Sequence, residues 1–194
     1  MSRGSELTRQ RILDAASEEF RLHGYPDASM RRIAHGAKAT TGAIYHHFPS
    51  KELLFDALVR EPAEQLLSLW AALHTASDNA TPEAHHHSND GTDAVLAFVY
   101  DHLDAFRLVF CHAAGTPYEN YAKRLIAVEE ATYRRIPGFD GSPADDLFLH
   151  TAAAFGVEAL RAAVEHDLSR NEAQKYMTRI KEFRTKGWMG LVAT

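Results

Sequence analysis

The stretch SMRRIAHGAKATTGAIYHHFPSKELL, residues 29–54, decides how this chain is read. Met30, Ile33, Ala34 and Ala37 follow Ser29 at spacings of three and four, which is one face of a short helix. Ser29 suits the N-cap, because its hydroxyl can accept a bond from an orphan N–H of the first turn. Lys38-Ala39-Thr40 breaks the period, and a second short helix follows from Thr41 to His47, with Ile44 and Phe48 turned inward. Pro49 stops it, and Ser50 caps a longer helix that opens Lys51-Glu52-Leu53-Leu54. Helices of about two turns are marginal in water. Two of them across a three-residue turn persist only when packed crosswise on a further element, which is the geometry of a helix-turn-helix.

Charge agrees with that geometry. Between Ser29 and Lys51 stand Arg31, Arg32, Lys38 and Lys51 with no acidic residue, a phosphate-binding footprint in a chain of net charge −5. Residues 1–60 carry nine Lys/Arg and seven Asp/Glu, net +2, and the remainder is net −7. A basic end and an acidic body divide the work between contact with a polyanion and something else.

Outward from this stretch, the array Thr8-Arg9, Ile12-Leu13, Ala15-Ala16, Phe20, Gly24-Tyr25, Ser29-Met30, Ile33-Ala34, Ala37, Thr40, Gly42-Ala43-Ile44-Tyr45, His47-Phe48, Ser50-Lys51-Glu52 and Leu54 is in register from Thr8 to Leu54. It resembles the DNA-binding domain of TetR-family transcriptional regulators, over about a quarter of the chain. The family usually has Gly-Val where this chain has Lys38-Ala39. A left-handed Lys38 would carry strain of about 1 kcal/mol; the alternative is another turn that aims the ammonium at DNA. The resemblance implies a dimeric repressor on a palindromic duplex operator, released by a small-molecule effector. A regulator or coactivator answering to a protein partner is the second reading.

The fold expected is all-α, with a three-helix helix-turn-helix domain over residues 1–55 and a helical effector-binding and dimerisation domain over residues 56–194. Base reading requires donors, acceptors or methyls on the exposed face of the second short helix, which selects Lys38, Thr40, Thr41, Gly42, Tyr45 and His46. By resemblance Tyr45 and Lys51 contact phosphate, and Ser29 is a cap that also reaches it. The first helix is expected over Ser5–His23, with Gly24 as its left-handed C′ residue. A helix over Ser50–Thr75 is expected to kink near Leu58–Glu61, ahead of Pro62. The kink either transmits movement between the two ends or only bends the chain around its core. Thr75–Thr92 reads as a polar loop whose His85-His86-His87 is solvated, a zinc or nickel site being the alternative.

Helices then follow over Asp93–His102, Ala105–His112 with Asp104 as cap, Tyr118–Ile136, Ala144–His166 and Asn171–Trp188. The fourth is rich in small residues that admit a close neighbour. Paired with the last helix and a second copy of both, it gives a four-helix homodimer seam, as TetR relatives have. Phe98, His102, Phe106, Phe110, Tyr121 and Phe155 form an aromatic and histidine set suited to a small hydrophobic or aromatic effector, though aromatics at helical spacing also serve as plain core. No HExxH, Gly-rich phosphate loop or nucleophile motif is present, so neither an enzyme nor a cofactor or metal is expected. No run of 18 apolar residues and no apolar leader at the N-terminus appear, and Cys111 is the one cysteine, which together lead to the expectation of a cytoplasmic protein without a membrane partner.

Overall fold

The structure is a computed structural model, and it describes residues 3–75, 89–136 and 138–192. Every regular element among the described residues is a helix. They are α1 (Arg3–Asp27), α2 (Met30–Gly36), α3 (Thr41–His47), α4 (Lys51–Thr75), α5 (Asn89–Asp101), α6 (Leu103–Cys111), α7 (Tyr121–Tyr133), α8 (Pro143–Glu165) and α9 (Arg170–Val192). The all-α expectation holds. The chain divides into two compact units. The first comprises residues 1–64 with 103–119, and the second residues 65–102 with 120–194. The division falls inside α4, which runs through Pro62. The first unit also includes α6.

In the first unit, α1 packs on α2, α3 and α6. Ile12, Ala16 and Phe20 on α1, with Ile33, Ile44, Phe48, Leu54 and Phe55, are all buried in this unit. The Phe20 and Phe55 rings meet edge to face at 5.1 Å, and Tyr25 meets Phe55 at 5.5 Å. Such contacts, added to the apolar area that they bury, fix the angle at which two short helices sit. Gly24 breaks α1 with φ 71° and ψ 165°. It has the expected positive φ, but an extended ψ where a helix C′ residue would be left-handed, and the chain makes one more helical turn through Pro26 to Asp27. Tyr25 N–H donates to the His112 carbonyl at 3.0 Å, tying this break to the end of α6.

The turn between α2 and α3 is resolved by its hydrogen bonds. Lys38 has φ 51°. Its N–H donates to the His35 carbonyl at 3.1 Å, and Ala39 N–H donates to the Ala34 carbonyl at 3.0 Å. This pair of bonds is a Schellman motif with Lys38 as its left-handed residue. The chain therefore accepts the strain of a non-glycine residue there.

In the second unit α8 packs on α7 and α9, and α9 packs on α5. Trp70 Nε1 donates to the Leu125 carbonyl at 3.1 Å, and Tyr100 Oη donates to the Leu168 carbonyl at 2.9 Å. Ser142 caps α8, its Oγ accepting from Asp145 N–H. By length and hydropathy α8 could cross a membrane, but Leu149, Ala153, Val157, Leu160 and Val164 form its buried face within this unit. The helix α5 begins at Asn89, earlier than the loop expectation, and α7 is shorter than expected because residues 113–120 form turns. The His85-His86-His87 run lies outside the described residues.

Candidate functional site

The exposed surface of α3 is the first candidate. Ile44 and Phe48 anchor its inner side, and Thr40 caps it, with Oγ1 accepting from Ala43 N–H at 3.1 Å. That leaves Thr41, Gly42, Tyr45 and His46 outward, together with Lys38 from the preceding turn. Tyr45 is 48% exposed. Gly42 adds a discriminating observation. A Cβ built there meets only Thr40 Oγ1, at 3.9 Å. Alanine would fit and would favour the helix by about 1 kcal/mol, so nothing inside the protein calls for glycine. A glycine on an exposed helix face does allow another molecule to come close to the backbone.

The basic set divides into two halves. Arg32 is held internally: Nε donates to Glu19 Oε1 at 2.7 Å, and Nη2 donates to the Asp27 carbonyl at 2.7 Å. Glu19 is buried, and it also accepts from Ser29 N–H at 2.8 Å. Burial raises the Glu19 pKa, but the Arg32 and Ser29 donors outweigh it and hold this carboxyl below its ordinary value. Ser29 stands at the N-cap, yet its side chain makes no capping bond; the Glu19 carboxylate serves its backbone N–H instead.

Lys51 is internal as well. Its Nζ donates to the carbonyls of Tyr25, Pro26 and Ala28 at 2.7, 3.0 and 3.2 Å, and it lies 4.6 Å from the centre of the Tyr25 ring. Carbonyls at a helix end have no partners within the helix, and a cation satisfies them. These hydrogen bonds of the Lys51 ammonium tie the end of α1 to the start of α4. Arg31 and Lys38 are exposed and make no ion pair among the described residues.

The second candidate is a cavity of about 120 Å³ in the second unit. It lies between the end of α4 (Trp70, His74), the start of α5 (Thr92, Val95), the end of α7 (Glu129, Tyr133) and the middle of α9 (Met177, Ile180, Arg184). None of the six residues expected to form an effector pocket lines it. Phe98 and His102 pair with each other at 4.7 Å, further along α5 than the residues that reach the cavity. Phe106 and Phe110 stack at 5.7 Å on α6 in the first unit. Tyr121 is fully buried core, and Phe155 is 41% exposed beside Phe183. Equal chemistry at helical spacing could not reveal which end of a bundle stays open.

What lines the cavity is a buried polar cluster. Arg184 Nη2 contacts both Glu129 Oε1 and the Tyr133 hydroxyl, and Tyr133 donates to Glu129 Oε1. Burial lowers the Arg184 pKa, but the Glu129 charge outweighs it and holds the guanidinium above its usual value. Burial, followed by the same Glu129 charge, pushes the Tyr133 phenol upward. A Cβ on Gly156 would run into the Arg184 guanidinium, so this glycine of α8 gives the arginine its path. The sequence held a signal for the cluster. Glu129 falls on the same stripe as Leu125 and Tyr133, and Arg184 on the stripe of Met177, Ile180 and Trp188. A charge on an apolar stripe is the informative exception.

A third feature is apolar and external. Leu147 is 66% and Phe183 is 70% exposed, and Phe148, Ala152, Phe155 and Phe183 line a groove along α8 and α9. Among the described residues no group of His, Cys, Asp and Glu is arranged to hold a metal ion.

Two short helices joined by a tight turn on a three-helix core define a helix-turn-helix DNA-binding domain. Residues 12–58 match the family described as bacterial regulatory proteins, tetR family. Over this N-terminal domain the chain is similar to TetR-family proteins. It is 41% identical over 76 residues to the HTH-type transcriptional repressor AcnR of Corynebacterium efficiens, a match covering 39% of this chain and 37% of that protein. It is 40% identical over 68 residues to the HTH-type transcriptional regulator UidR of Escherichia coli K12, covering 35% of each. The matches thus span little more than a third of these relatives. A TetR-like transcriptional regulator from Rhodococcus sp. RHA1 shares the fold, with a TM-score of 0.62 at 19% identity over 96% of this chain and 97% of that one.

Proposed function

We propose that the protein is a DNA-binding transcriptional regulator that acts as a two-fold dimer, represses from a pseudo-palindromic operator in the cytoplasm and is released by a small molecule in the second unit. The outward face of α3 carries this reading. Lys38, Thr41, Gly42, Tyr45 and His46 face solvent on a helix whose other side is locked into a core. Thr41 offers a methyl and a hydroxyl to base edges, Gly42 permits close approach, and Arg31, Lys38 and Tyr45 reach phosphate. The Lys51 backbone N–H at the start of α4 remains a phosphate donor of the kind that helix N-termini supply.

One short recognition helix reads few base pairs, and a dimer doubles them. The exposed Leu147, Phe148, Phe155 and Phe183 give α8 and α9 the apolar surface that an isologous interface requires. The cavity favours a small effector over the protein-partner reading, because it offers a concave space beside the buried Glu129, Tyr133 and Arg184.

Selection from random duplexes tests this reading. The enriched sequence is expected to be a pseudo-palindrome whose half-sites lie about one helical turn, roughly 34 Å, apart. Enrichment of no sequence over the starting pool overturns it.

A further inference from the structure

One arginine of the first unit is held in place without an acceptor. Arg11 Nη2 donates to Thr8 Oγ1 at 3.2 Å, and Arg21, Arg32, Arg60 and Arg107 pair with Glu18, Glu19, Asp56 and Asp104. The Thr8 hydroxyl is engaged too, donating to the Gly4 carbonyl at 2.9 Å. Arg9 makes no hydrogen bond or ion pair among the described residues. Its guanidinium carbon lies over the Phe48 ring, 5.3 Å from the centre.

The place of that ring decides what Arg9 meets. Phe48 is the C-cap of α3 and only 4% exposed. The His47 ring lies 6.4 Å from Phe48, and His46 lies 5.5 Å from His47. A row of rings thus leads from the outward face of α3 to Arg9 on α1. No acidic residue occurs from residue 28 to residue 51. A guanidinium over an aromatic face is oriented without using its N–H donors, which are set in a planar fork that matches phosphate. The ring also restricts the side chain beforehand, so less rotamer freedom is lost when an anion binds.

We propose that Arg9 contacts a phosphate of the operator, held beside the end of α3 by Phe48, so that the duplex is gripped from α1 as well as from α3. The inference rests on α3 being the recognition helix of the proposed regulator. A phosphate contact positions the protein and carries no base information.

Arg9→Met and Arg11→Met test it, because they remove the same charge two residues apart. Arg11 lines a separate groove with Asp14 and Glu18. Anisotropy titrations across a salt series use the selected duplex and a copy with one substituted base pair, with melting midpoints followed by circular dichroism. Arg9→Met is expected to lose about 0.9 per protomer from the salt slope, which is about eightfold in affinity per protomer at about 0.1 M salt. The ratio between the two duplexes should stay as it was. Its midpoint should not move, since methionine still covers the Phe48 ring. Arg11→Met is expected to keep the slope of the unaltered chain, and Arg9→Lys to restore it. Without any substitution, phenylglyoxal should modify Arg9 in the free chain and be excluded from it by the selected duplex, while Arg11 reacts alike in both.

An unchanged slope in Arg9→Met, equal losses in Arg9→Met and Arg11→Met, or Arg9 modification that the duplex does not suppress overturns the inference. A lowered midpoint with the slope kept would make Arg9 only a cover over Phe48. A chain that binds no duplex sinks the regulator reading together with this inference. A chain that binds the selected duplex while the two methionine variants behave alike sinks the inference alone.

Discussion

Replacing Lys51 with methionine separates two roles that a loss of DNA binding alone would confuse. Methionine keeps the aliphatic stem and removes the ammonium. Three hydrogen bonds go with it, to the carbonyls of Tyr25, Pro26 and Ala28, and so does the contact over the Tyr25 ring. Hydrogen bonds involving a charged group contribute about 1.5–3 kcal/mol net when buried. Here the side chain is only half-buried and water can reach the abandoned carbonyls, so about 2 kcal/mol is expected for the whole set.

For a small unit each kcal/mol moves the melting midpoint by about 4–8 °C, which puts the first unit of Lys51→Met about 8–16 °C lower. The assay is thermal denaturation by circular dichroism, paired with DNA affinity across a salt series at low temperature. If Lys51 acts inside the protein, the salt slope stays as it was. Arg31→Met is the matched control, expected to keep its midpoint and to lose about 0.9 per protomer from the slope. An unmoved midpoint in Lys51→Met, with its slope reduced by about 0.9 per protomer, would refute the reasoning and make Lys51 a phosphate contact.

Three further outcomes are expected. Gly42→Ala should raise the stability of the first unit by up to about 1 kcal/mol in a chemical denaturation curve, and at the same time weaken operator binding, because the new methyl stands where the duplex approaches. Arg184→Met should cost about 3–5 kcal/mol by leaving Glu129 buried without its cation, and adding Glu129→Leu should recover most of that loss; a double variant no more stable than the single would show that the pair is not a unit. The Glu19 carboxyl is held below its ordinary value of 4.5, so its contribution is complete above that pH and is lost as the pH falls through the lowered value. Melting midpoints measured from neutral to acid pH should therefore drop below pH 4.5 in the unaltered chain, and the drop should be shallower in Glu19→Gln.

The sequence made the helix-turn-helix legible because its signals are local. The spacing of Met30, Ile33 and Ala34, the break at Lys38-Ala39-Thr40 and the cap at Ser50 each act within a few residues, and the structure holds them where they were expected. What each basic residue does was not legible. Arg32 and Lys51 read as part of one positive footprint with Arg31 and Lys38, yet their partners, Glu19 and the carbonyls at the end of α1, are brought to them only by the fold.

The cavity shows the same limit. Phe98, Phe106 and Tyr121 have the composition of a pocket, but burial assigns Phe106 and Tyr121 to solid core. The open space falls where three helix ends meet the middle of α9. The more telling signal was Glu129 on an apolar stripe, a residue whose cost asks for a reason. Phe155 was expected in an interior pocket, and it lies instead on an outer face beside Phe183, among the residues of the proposed dimer surface.

Fluorescence anisotropy with a duplex recovered by selection tests the central claim most directly, using the unaltered chain, Tyr45→Ala and a scrambled duplex of equal length. The account predicts tight binding to the selected duplex, affinity falling steeply with salt, at least tenfold loss in Tyr45→Ala with its melting midpoint unchanged, and only weak binding to the scrambled duplex. Equal affinity for both duplexes, or a Tyr45→Ala variant that binds like the unaltered chain, would contradict it.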